Sequence, residues 1–64
     1  RYDLAARRFK AVIKSVPDHA VAHYYLGKCY EQIGGDAEAE FAMFREIVSQ
    51  SEFWEKYAVH FGLE

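Results

Sequence analysis

The sequence predicts an all-α fold, a ladder of about four short helices joined as antiparallel hairpins, and three observations carry that expectation. Apolar residues recur at helical spacing along the chain, and no segment alternates with period two. Stops and N-caps divide the pattern at short intervals: Pro17 and the pair Gly34-Gly35 end runs, and Asp18, Asp36 and Ser51 each stand at the head of one. The runs also resemble one another alternately. A shift of 35 superposes Ala6 on Phe41, Phe9 on Phe44, Val12 on Ile47 and Ile13 on Val48. A shift of 31 superposes His23 on Trp54, Leu26 on Tyr57, Gly27 on Ala58 and Tyr30 on Phe61. Two helix types that alternate in this way are the mark of a repeat array.

The first helix is expected over residues 2–16, with Tyr2, Ala5, Ala6, Phe9, Val12, Ile13 and Val16 apolar and Arg7, Arg8, Lys10 and Lys14 between them. Pro17 ends it, because proline cannot continue a helix and restricts the residue before it. Asp18 is placed to cap the second helix, which runs to about Ile33 and stops at Gly34-Gly35. Asp36 caps a third, with Ala37, Phe41, Phe44, Ile47 and Val48 on one stripe. Ser51 heads a fourth over 51–61, carrying Phe53, Trp54, Tyr57, Ala58 and Phe61, and Gly62 would end it. Glu52 and Lys56 form a favourable pair four residues apart there. Trp54 and its neighbours are expected to fold back on the third helix as a lid.

Sixty-four residues make one domain at most, and a chain this short buries only about 60% of its unfolded surface. The composition is globular, with 52% hydrophobic and 17% aromatic residues; this is too apolar for a disordered tail, and the aromatics thicken a thin core. A net charge of −2 gives no reason to expect nucleic acid or an acidic membrane surface as partner. The charge is unevenly placed. Arg1, Arg7, Arg8, Lys10 and Lys14 crowd the first nineteen residues, whereas residues 31–64 hold eight acids against Arg45 and Lys56. Cys29 is the single cysteine and excludes an internal disulfide. There is no signal peptide or membrane-length apolar run. The chain starts on Arg1 without methionine and reads as a fragment, so compartment stays open, with cytoplasmic favoured.

The residues His23-Tyr24-Tyr25-Leu26-Gly27-Lys28-Cys29-Tyr30, Ala5-x3-Phe9 and Pro17 resemble the tetratricopeptide repeat, whose pattern is W-x2-L-G-x2-Y on the first helix of a unit and A-x3-F…P on the second. Leu26, Gly27 and Tyr30 match, and His23 replaces Trp; in the fourth run Trp54 is kept, with Tyr57, Ala58 and Phe61 in place of Leu, Gly and Tyr. The resemblance implies a second-type helix over 2–16, a full repeat over 18–50 and a terminal helix over 51–61. It implies packing roles for Ala5, Phe9, Pro17, Leu26, Gly27, Tyr30, Phe44 and Trp54. The sequence departs from the pattern where Gly34-Gly35 lengthens the turn by one residue, where Glu40 stands at a small-alanine position, and where no proline follows the third helix.

Catalytic and metal chemistry find little support. His19 and His23 lie four apart, as a metal pair would, but Cys29 is six residues further and nearly on the opposite face. Cys29 sits among Leu26, Tyr30 and Ile33, where a thiol is ordinarily inert. No phosphate-binding or glycine-rich fingerprint occurs. The sequence therefore calls for no enzyme, no cofactor and no metal.

The second helix carries a further stripe beside its core stripe: Val21, Tyr24, Tyr25, Lys28 and Gln32. Adjacent tyrosines outside a core stripe are interface anchors, and the resemblance places these positions on a concave, partner-binding face. The expected function is a protein or peptide recognition scaffold. The alternative is a structural segment that self-associates through helix 2–16, whose own partner helix is missing.

Overall fold

The computed structural model describes residues 1–51. Within them the chain forms three helices, α1 (Tyr2–Ser15), α2 (Ala20–Ile33) and α3 (Ala37–Ser49), and no strand. The fourth helix expected over 51–61, with Trp54, lies outside the described residues.

α1 stops at Ser15. Val16, the residue before proline, has φ −133° and ψ 84°, off the helical region as the proline ring requires, while its N–H still reaches the Val12 carbonyl at 2.7 Å. The start of α2 corrects one expectation. The chain is still turning at Asp18, since the His19 N–H bonds back to the Val16 carbonyl at 3.1 Å. The capping position therefore passes to His19, whose Nδ1 accepts from the Ala22 N–H at 3.1 Å. An N-cap needs an acceptor two or three residues before a free amide, and the turn around Pro17 puts His19 there instead of Asp18.

Gly34 ends α2 with φ 89°, in the left-handed region that a side chain would strain, and its N–H bonds to the Tyr30 carbonyl at 2.8 Å. Two residues later Asp36 caps α3 by accepting from the Ala39 N–H at 3.1 Å. Glu38 and Glu40 in the first turn complement the positive end of the helix.

α2 is the middle layer. α1 packs on one side of it and α3 on the other, and the backbones of α1 and α3 do not come together. Against α1, a cluster of Ala6, Leu26 and Cys29 is enclosed by Ala5, Phe9, Ile13 and Tyr30. Against α3, Phe44 and Val48 are fully buried beside Ala22 and His23. Removing the Phe44 ring from water contributes about 2 kcal/mol. Gly27 sets the α2–α3 spacing. A Cβ there would lie 2.7 Å from Cε1 of Phe41, nearer than non-bonded carbon atoms stand, so a side chain at this position would push that ring away.

Candidate interaction surface

A row of aromatic rings crosses all three helices, built on Tyr24 and Tyr25. These neighbours are a hundred degrees apart on the helix, so each leans towards a different partner. Tyr25 stacks on Phe9 of α1, with centroids 5.8 Å apart and planes 19° from parallel. Tyr24 meets Phe41 and Phe44 of α3 at 5.7 and 5.2 Å. The two tyrosines touch each other edge to face at 5.3 Å. Offset and edge-on pairs of this kind contribute about 0.5–1.5 kcal/mol each beyond area burial.

The row also decides what remains accessible. Tyr24 is half-buried against α3, while Tyr25 keeps 44% of its surface exposed. Lys28 and Gln32 are exposed on the following turns, and Val21 is half-buried at the start of the helix. Lys28 Nζ lies 3.4 Å from the Glu31 carboxylate, an exposed pair worth little in water. Of the five residues read as one stripe, the structure thus leaves Tyr25, Lys28 and Gln32 open. Tyr24 is mainly a packing residue.

The residues with expected packing roles divide similarly. Leu26, Gly27 and Phe44 are buried; Ala5, Phe9 and Tyr30 are half-buried; Pro17 is exposed in the turn. The Lys10 ammonium sits 5.7 Å from the centre of the Tyr30 ring, a cation–π contact that ties α1 to α2 on the other flank.

Among the described residues, two hollows lie on either side of the row. One lies on α1 and is lined by Arg1, Leu4, Ala5, Arg8 and Phe9. Tyr2 and Leu4 are exposed at this end, and Val12 and Val16 are exposed towards the other, so apolar side chains lie open along α1 with the Arg1 and Arg8 guanidinium groups lining the hollow. Arg1 there donates to Asp3 at 2.8 and 3.2 Å, and that pairing holds the Asp3 carboxyl below the ordinary aspartate value. The second hollow lies where the start of α2 meets the end of α3, among His19, Val21, Ile47 and Ser51.

The two histidines four residues apart, whose sequence context offers little support for a metal pair, are separately engaged. His19 caps α2, whereas His23 is buried and bonded to the Pro17 carbonyl and to Glu40. Among the described residues no group of three or more His, Cys, Asp or Glu side chains is placed to hold a metal ion. No described helix is long and apolar enough to cross a membrane. The Cys29 thiol is free and buried in the α1–α2 core. Sequence reasoning missed two features, the Phe9–Tyr25 stack and the link from His23 to Glu40. The second left a trace, since both residues depart from the repeat pattern, one from a large aromatic and the other from a small alanine.

No curated protein and no solved structure matches the chain. The family model described as tetratricopeptide repeat matches residues 1–55. With the repeat pattern running through three helices that hinge at Pro17 and Gly34, the chain belongs to the tetratricopeptide repeat family.

Proposed function

We propose that this segment is a protein-recognition scaffold that takes a partner peptide or protein along the outer face of α2, with Tyr25 as its anchor. Repeats of this family are generally non-catalytic modules for protein interaction. The observation that carries the finer reading is the 44% exposure of a tyrosine whose ring is already fixed by the Phe9 stack. A ring held in place before binding loses little freedom on binding, and it offers apolar area together with a hydroxyl. Lys28 and Gln32 supply polar contacts at the rim. Because Lys28 already has Glu31, an acidic ligand group must compete for it, so charge tunes the choice of partner more than it adds affinity.

The ligand expected is a segment with an aromatic or aliphatic anchor and an acidic neighbour, independent of a free C-terminus. Selection from a random peptide display library on the parent chain and on Tyr25→Ala tests this. The parent should enrich such sequences, and Tyr25→Ala should lose them while it still melts cooperatively, at a temperature lowered by the lost ring contacts to Phe9 and Tyr24. Enrichment that is the same on both proteins, or strict dependence on a ligand C-terminal carboxylate, would refute the assignment.

A second reading has its own support. The exposed Tyr2, Leu4 and Val12 on α1, with Val16 just after it, form an apolar edge without a covering helix among the described residues. Such an edge supports self-association through α1.

A further inference from the structure

His23 is the buried polar side chain of the described core, only 5% exposed. Both of its ring nitrogens face oxygen acceptors. Nε2 lies 2.8 Å from the Pro17 carbonyl in the α1–α2 turn, and Nδ1 lies 2.8 Å from Oε1 of Glu40 on α3. A carbonyl oxygen can only accept, and so can an ionised carboxylate. A neutral imidazole carries one N–H, so it satisfies one of these contacts and sets a bare nitrogen lone pair against an oxygen at the other. In a buried site that opposition is costly, because no water relieves it. A second proton removes it. An imidazolium donates from both nitrogens and so satisfies both acceptors.

We infer that His23 is held as an imidazolium that donates to Pro17 and Glu40 at once, and that this proton latches the α1–α2 turn to α3. The three pieces joined are the turn, α2 and α3, so the latch ties the α1–α2 connection to the α2–α3 hairpin. The Phe9–Tyr25 stack joins the same two helices, α1 and α2, that this turn connects. Loss of the proton loosens the turn and, through that stack, the setting of the exposed Tyr25 ring. The charged groups that meet His23 are few. α3 presents Glu40, whose side chain is 20% exposed. The turn presents Asp18 and His19 next to Pro17 in sequence, and His19 is engaged as the α2 cap. α1 packs on α2 through the uncharged Ala6, Phe9 and Ile13, and its Lys10 ammonium meets α2 at the Tyr30 ring, seven residues along from His23.

The sign of the pH dependence follows from the contacts. The imidazolium form makes both bonds, so the latch is present while the ring is charged and is weakened as rising pH removes the proton. Glu40→Gln isolates this effect. A glutamine amide can donate to Nδ1 while Nε2–H still bonds to Pro17, so a neutral ring satisfies every contact and the extra proton is no longer needed. His19 and His60 are common to both proteins and cancel in the comparison.

The test is the melting temperature of the parent chain and of Glu40→Gln across pH 5 to 8, with the ring 15N shifts of His23 read by NMR in the parent. The parent should lose several degrees relative to Glu40→Gln as pH rises. At pH 6 the folded parent should show N–H on both nitrogens of His23. A temperature difference between the two proteins that does not change with pH, or a His23 ring with a single N–H at pH 6, overturns the inference. The NMR measurement needs only the parent, so the question is decided even if the variant fails to fold.

Discussion

Replacing Gly27 with alanine should destabilise the chain, although alanine is the better helix former. In an exposed helix interior the exchange would gain about 0.8–1.0 kcal/mol. Here the new methyl would stand 2.7, 2.9 and 3.0 Å from three atoms of the Phe41 ring. That ring is half-buried and rests against Tyr24 at 5.7 Å, so it cannot retreat along α2 without disturbing the aromatic row. Overpacking of this kind costs about 1–3 kcal/mol. The net effect is a loss of about 1 kcal/mol, or about 4–8 °C in melting temperature for a domain of this size. Far-UV circular dichroism melts of the parent, Gly27→Ala, Phe41→Leu and the double variant test both the sign and the cause. Phe41→Leu should cost less in the alanine background than in the parent, because the smaller side chain makes room for the methyl. A Gly27→Ala protein that melts above the parent, or two substitutions whose effects simply add, would refute the steric argument.

Two further perturbations separate packing from surface. Phe44→Ala empties the centre of the α2–α3 layer, where the ring is 1% exposed, and should cost about 3–5 kcal/mol. That is enough to unfold a chain of this size, and a cooperative melt near the parent's temperature would place the ring outside the core. Sedimentation at high micromolar concentration should show association of the parent that Leu4→Lys reduces, since Leu4 is 41% exposed on the apolar edge of α1; a monodisperse parent would exclude self-association through that edge.

The helices were legible in the sequence because each depends on local signals. The period of the apolar residues, the break at Pro17, the left-handed stop at Gly34 and the cap at Asp36 act within a few residues of themselves. The cap of α2 was not, because Asp18 and His19 are adjacent and only the closure of the turn decides which one reaches the Ala22 amide. Tyr24 and Tyr25 were read as one stripe on the period of a single helix. What divides them is tertiary: α3 lies beside one and α1 beside the other. His23 and Glu40 were visible as two separate departures from the repeat pattern. Their partnership spans 17 residues and two helices, and helical periodicity carries no information about a contact of that range.

The position of α2 between two helices that do not meet each other has a mechanical consequence. Among the described residues α1 and α3 are coupled in series, so a displacement of one backbone reaches the other through α2. Compliance at the two interfaces therefore adds. A small rotation allowed at the α1–α2 joint and a small rotation allowed at the α2–α3 joint sum into the curvature of the surface on which Tyr25 stands, much as play in successive links sets the bend of a chain.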